Sequence, residues 1–232
     1  MDGSGTLYVT GALGPNSTSY LPYYWAKAVS TAAIAIALPV SNSYGWTNGV
    51  IWDGATNIYI AGAEGTSSAA ESPYYWKVGA TTSENALSMG TNTYGFARGV
   101  GVYSSGSTVC IAGGSGTSSS AMTPQVWIAG ADSPLTMSPG DTWAYAATVS
   151  FAGTNIYIGG IEGISSSSAT PAYWFNGTAN KLPLGGNSYF WNYRTAVDTS
   201  GNLYTAGGVG TSSSTPVPCY WVNGSLYTLP MG

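Results

Sequence analysis

The chain has 232 residues and a formal charge of -4 from nine acidic and five basic side chains, and only 6% of it is charged, against about 25% in a typical soluble domain. No basic stripe exists to hold nucleic acid or an anionic membrane, so neither is an expected partner. Histidine is absent, which excludes Ser-His-Asp and Cys-His catalysis and the commonest metal ligand; no metal or other cofactor is expected.

The first residues, Met1-Asp2-Gly3-Ser4-Gly5, lack the positive and apolar regions of a signal peptide. Leu7-Tyr8-Val9 then alternates as a short strand and runs into a Ser/Thr-rich segment from Gly14, which reads as a surface loop. Pro22-Tyr23-Tyr24-Trp25 opens a second strand, with proline allowed at a strand's first residue. The apolar run from Ala32 to Val40 is too short for a spanning helix, which needs about 20 residues, and it contains a proline, so no membrane span is expected. A ring-rich stretch around Tyr44 and Trp46 precedes a further strand, Gly49-Val50-Ile51-Trp52-Asp53, and the tight turn Asp53-Gly54 leads to Ile58-Tyr59-Ile60.

That tripeptide restarts the pattern. Equivalents stand at Val109-Cys110-Ile111, Ile156-Tyr157-Ile158 and Leu203-Tyr204-Thr205, giving spacings of 51, 51, 47 and 47 residues. From each anchor a glycine (Gly14, Gly65, Gly116, Gly163, Gly210), a proline (Pro22, Pro73, Pro124, Pro171, Pro218) and a tryptophan (Trp25, Trp76, Trp127, Trp174, Trp221) follow at fixed intervals. Turns such as Asn176-Gly177 and Asn223-Gly224 lead to a last strand per unit, for example Lys181-Leu182-Pro183-Leu184. Four strands per repeat of this length predict one all-β domain over residues 1–232, a five-bladed β-propeller with four-stranded blades. An open solenoid is the alternative. The strand before the Asp-Gly turn occurs four times and its companions five times, so the first blade lacks one strand within this chain. An unpaired edge there suggests either a longer protein or self-association with another chain.

Ala196-Val197-Asp198-Thr199-Ser200-Gly201-Asn202-Leu203-Tyr204-Thr205-Ala206-Gly207 resembles the core of bacterial β-propeller repeats of the SBBP and NHL kinds, and Asp53 to Gly62 and Asp2 to Gly11 are similar. Ser104 and Phe151 stand where two other units would carry the aspartate. The resemblance implies a propeller scaffold, an extracellular or cell-surface location with a leader outside this sequence, and no catalytic residue.

Cys110 and Cys219 fall in the third and fifth units, which are not neighbours in a ring of five, so two free thiols are expected rather than a disulfide. Asp53 and Asp198 share a turn position that suits capping of their own backbone. Glu64 and Glu162 precede the loop glycine, while Glu71, Glu84, Asp132 and Asp141 are placed in loops, with no converging pair of the kind a glycosidase needs. The repeated tryptophans read as packing between blades. Ligand-binding candidates are sought where the repeats disagree: Tyr44, Trp46 and Asn48; Tyr94, Phe96 and Arg98; Trp143 and Tyr145; Tyr189, Phe190, Trp191, Asn192 and Arg194. Rings with amide and guanidinium donors suit a glycan or a protein partner. Asn16, Asn176 and Asn223 satisfy the N-glycosylation pattern. The resulting expectation is a non-catalytic extracellular module for glycan or protein binding or for assembly, with a structural subunit of a filament or surface layer, and a glycoside hydrolase, as alternatives.

Overall fold

The computed structural model describes residues 1–16, 19–28, 34–103 and 108–230. Ser104 and the sequon residues Ser17 and Thr18 lie outside them, as do the side chains of Asn192 and Tyr193. The described chain is all strand, turn and loop.

Five antiparallel sheets follow one another along the chain. The first holds β1 (Leu7–Leu13), β2 (Leu21–Lys27) and β3 (Ile34–Ala37). The second holds β4 (Tyr44–Trp52), β5 (Ile58–Ser67), β6 (Ala70–Val78) and β7 (Thr82–Ala86), and the third β8 (Tyr94–Tyr103), β9 (Thr108–Ser118), β10 (Ala121–Ile128) and β11 (Ala131–Pro134). The fourth is β12 (Trp143–Ala152), β13 (Asn155–Gly163), β14 (Thr170–Phe175) and β15 (Thr178–Lys181). The fifth is β16 (Tyr189–Val197), β17 (Leu203–Gly210), β18 (Val217–Val222) and β19 (Ser225–Thr228). Each is a meander in which chain order equals spatial order. This is the five-bladed propeller the repeat predicts, with the first blade short of one strand.

The missing strand matters because its counterparts make the joints. The first strand of each later blade packs on the blade before it: β4 on β1 and β2, β8 on β4 to β6, β12 on β8 to β10, and β16 on β12 to β14. Each joint is filled by a tryptophan of the later blade and a leucine just after the last strand of the earlier one. Trp76 meets Leu38, Trp127 meets Leu87, Trp174 meets Leu135, and Trp221 meets Leu182. These indoles are 0–1% exposed, and each burial is worth roughly 4–6 kcal/mol of transfer free energy as an upper bound. Each buried Nε1 donates to a carbonyl beside that leucine: Trp76 to Pro39 at 2.8 Å, Trp127 to Ser88 at 2.7 Å, Trp174 to Thr136 at 2.6 Å and Trp221 to Pro183 at 2.8 Å. The repeated tryptophans are therefore blade clasps. In the first blade Trp25 is only half-buried, and the fifth blade's Leu229 is 45% exposed.

Three local expectations need correction. The repeated prolines sit inside their strands, not at the start: Pro73 is the fourth residue of β6 and Pro22 the second of β2. They are tolerated because their nitrogens face the outer edge just where pairing with the last strand ends. The proline carbonyl accepts the final bond there, as in Leu87 N to Pro73 O at 2.9 Å and Leu182 N to Pro171 O at 2.8 Å. The last strand of the fourth blade starts directly after Asn176-Gly177, so Lys181 ends it and Leu182 is a core plug beyond it. In the second and third blades the Ser/Thr segment is not an open loop, since β5 and β6, and β9 and β10, continue pairing into tight hairpins.

Cys110 and Cys219 are free and buried, as expected, and burial pushes both thiols up to about 11.

Candidate functional site

The strands that make the joints also make the site. β4, β8, β12 and β16 each open with two rings at alternate positions, Tyr44 and Trp46, Tyr94 and Phe96, Trp143 and Tyr145, Tyr189 and Trp191, and the two-residue period puts both on one face. Two residues after the second ring the register slips in all four strands, leaving Asn48, Arg98, Ala147 and Tyr193 unpaired. Such a bulge re-aims the extra residue's side chain. It also explains a constant glycine on the neighbouring strand. A Cβ at Gly62, Gly113, Gly160 or Gly207 would stand 2.0, 2.0, 2.2 or 2.2 Å from the carbonyl oxygen of Trp46, Phe96, Tyr145 or Trp191. At Gly11, in the blade without that strand, the nearest atom would be the Trp25 ring at 3.2 Å. Successive bulges lie close together, because a Cβ on Gly49 would come within 2.7 Å of the Arg98 carbonyl.

Three hollows adjoin on this face. The central one, about 390 Å³, is lined by Asn48, Arg98, Tyr145, Ala147, Ile161 and Arg194. Asn48 and Arg98 also line a second hollow of about 370 Å³ with Tyr20, Tyr44, Trp46, Glu71, Tyr94 and Phe96. Tyr145 and Ile161 also line a third of about 380 Å³ with Ser166, Ser167, Tyr189, Phe190 and Trp191. Together they form a cleft that takes residues from all five blades. Ring contacts continue along it, Trp46 to Phe96 at 6.0 Å between centroids and Phe96 to Tyr145 at 5.5 Å.

Arg98 is held in the middle. Its guanidinium carbon lies 4.7 Å from the Phe96 centroid and 4.4 Å from that of Tyr145, and one terminal nitrogen donates to the Tyr145 hydroxyl at 3.1 Å. Its Nε is buried with no hydrogen-bond partner among the described residues. Arg194 is exposed at the rim of the same hollow.

Glu71 corrects the sequence reading most sharply. Expected in a loop, it is the second residue of β6 and is 4% exposed. Its Oε1 accepts a bond from Trp46 Nε1 at 2.8 Å and its Oε2 one from the Tyr94 hydroxyl at 3.4 Å. Burial holds the carboxyl above its ordinary value, against the pull of the Trp46, Tyr44 and Tyr94 hydrogen bonds and the Arg98 charge. The coupling runs both ways: burial and the Glu71 charge push Tyr94 up to about 12, and burial with the Tyr20 bond raises Tyr44. A signal for Glu71 was present in the repeat, since its counterparts two residues before the proline are Tyr20, Met122, Ala169 and Pro216.

The other candidates divide. Asn48, Trp46, Tyr145, Trp191, Arg98 and Arg194 face the cleft, while Tyr44, Tyr94 and Phe96 are buried in its floor. Trp143 lines none of the three hollows; it is buried and its Nε1 donates to the Ser119 carbonyl at 2.9 Å. Four other carboxylates serve the fold. Asp198 accepts from the side chain and backbone of Asn202 and the backbone of Ser200, which hold it below its usual range, and Asp53 caps its turn in the same way. Glu64 and Glu162 are fully buried and clasp the loops entering the second and fourth blades, through Ser41 and Asn42 and through Ser138. Among the sequon asparagines, Asn16 is exposed. Asn176 and Asn223 occupy turn corners at φ 48° with their side-chain amides hydrogen-bonded to Asn155 and Asn202.

No family model and no curated protein matches the chain. Among solved structures, an ulvan lyase of a new polysaccharide lyase family, bound to -[GlcA(1-4)Rha3S]-, aligns over 98% of this chain and 69% of its own, at 12% identity and a TM-score of 0.58. Its ligand-free form gives 0.59. A TolB protein from Agrobacterium tumefaciens aligns over 96% of this chain and 80% of its own, at 11% identity and 0.53. The propeller is thereby supported, with no sequence match to SBBP or NHL repeats. The expectation of a non-catalytic binding or assembly module is corrected: the similar propellers include a polysaccharide lyase, and the cleft holds a buried carboxyl that the sequence reading had dismissed as a loop residue.

Proposed function

We propose that this chain is a carbohydrate-active enzyme that cleaves a polysaccharide lying along the cleft across its blades. The carrying observation is Glu71, a carboxyl buried in the floor of an open, ring-lined groove. Aromatic faces such as Trp46, Tyr145 and Trp191 suit the apolar faces of sugar rings, and their spread over several blades suits a polymer. Burial lets Glu71 keep its proton to higher pH than an exposed glutamate, which is the state needed to protonate a departing glycosidic oxygen. Tyr44, Trp46 and Tyr94 position it, and the Arg98 charge favours the Glu71 carboxylate that is left once the proton is given up. The similarity to a polysaccharide lyase supports the substrate class. A polymer of this kind is met outside the cell, so an extracellular or cell-surface setting belongs to the same proposal. The similar structures give no support to self-association through the first blade.

The test is incubation of the chain with a panel of polysaccharides, following polymer size, new reducing ends and the ultraviolet absorbance of unsaturated ends, which separates hydrolysis from elimination. Shortening of at least one polymer is expected. If none is shortened, the reading fails.

A further inference from the structure

Resting on the reading of this face as a polysaccharide cleft, we infer that its centre is an anion subsite, so that the polymer it takes is acidic, carrying carboxylate or sulfate groups. The chain has only two arginines, Arg98 and Arg194, and both line the central hollow. They come from different blades, 96 residues apart in sequence, in a protein whose net charge is -4. An acidic chain with so few cations has no general reason to gather its guanidinium groups at one spot. Neither forms an ion pair among the described residues, where the Lys181–Asp141 pair is the one found.

The two groups are arranged differently. Arg98 is clamped between the Phe96 and Tyr145 rings, with one terminal nitrogen on the Tyr145 hydroxyl and a buried, unpartnered Nε. A buried donor without a partner is costly, and a ligand oxyanion approaching the guanidinium edge would satisfy it. Arg194 is exposed at the rim, and the exposed Asn48 amide adds a neutral donor to the same hollow. Guanidinium forks match the planar pair of oxygens of a uronate and the oxygens of a sulfate ester alike. No carboxylate lines this central hollow to repel them. The two adjoining hollows carry one carboxyl among their described lining residues, Glu71, and burial favours its neutral form. A neutral glycan would leave both guanidinium groups without a counter-charge.

The experiment is calorimetric titration of the intact chain with three oligosaccharides of equal length: an oligogalacturonate, a sulfated oligogalactan and a neutral β-glucan oligomer. Wild type, R98Q, R98K, R194Q and the charge control K77Q are compared after circular dichroism has verified folding. At least one acidic oligomer is expected to bind and the neutral one not. R98Q and R194Q should each weaken acidic binding about tenfold or more, with R98K partly retaining it, K77Q unchanged and added salt weakening it. Preference for the carboxylated or the sulfated oligomer identifies the anion, and either supports the subsite. Equal affinity for the neutral oligomer, acidic binding untouched by both R98Q and R194Q, or no binding of either acidic oligomer would overturn it. R194Q keeps the test open if R98Q misfolds, since Arg194 is exposed. Acidic oligomers bound while no polysaccharide of the panel is shortened would sink the enzyme reading and leave the subsite standing; cleavage of neutral polymers alone would do the reverse.

Discussion

The first strands of the four later blades, β4, β8, β12 and β16, take part in both the joints between blades and the cleft, yet joint and cleft vary in opposite ways. At the joints each of the last four units uses one solution, an indole sealed against the preceding blade and hydrogen-bonded to its exit loop. At the cleft the bulge repeats in backbone but not in residue: asparagine, arginine, alanine and tyrosine occupy the same place. Repetition where the chemistry is packing and divergence where the backbone aims outward is what a scaffold with one asymmetric site requires.

The contrast is broken most violently at a joint. Trp127→Ala should cost about 3–5 kcal/mol in denaturant unfolding, whereas Trp25→Ala, at the half-buried first-blade position, should cost less than half as much. Equal losses would mean that the first blade is sealed like the rest. Next in size, Glu71→Gln should lower cleavage by about 10² to 10⁴ while changing stability by under about 1 kcal/mol.

The third prediction is a pH dependence. The folded state holds the Glu71 proton above the ordinary value of 4.5, so it binds more protons than the unfolded chain just above that pH. Stability from this group is present below 4.5 and is lost as pH rises through the raised value. Relative to E71Q, wild type should therefore lose stability on going from acid to neutral pH, and its cleavage should fall on the alkaline side. A flat difference across that window would remove Glu71 from both roles. The smallest effect belongs to the turns: Asn176→Ala, which loses a φ of 48° and two side-chain bonds, should cost about 1 kcal/mol in unfolding with cleavage untouched.

Periodicity made the blades legible, because anchor, glycine, proline and tryptophan are each demanded at every unit by the same local geometry. Strand ends were less so. Pro73 lies inside β6 since only its outer edge lacks a partner, and a single chain does not show which edge that is. The cleft rings and arginines could be named from their place after each tryptophan, but their division into floor and rim depended on the bulge, which leaves no mark except the paired glycine. Glu71 was missed for a different reason. A glutamate in a Ser/Thr-rich segment looks solvated until Gly65 opposite it is seen to carry the hairpin onward over Tyr44 and Trp46.

Two buried glutamates, Glu71 in the cleft and Glu162 at a loop clasp, give the most direct test of the claim that the cleft alone carries the chemistry. Cleavage of the best polysaccharide substrate should be measured for E71Q and E162Q at a temperature where both are folded. E162Q should keep the wild-type rate and E71Q should lose it by at least about a hundredfold. Equal rates in the two variants, whether both retained or both lost, would contradict that claim.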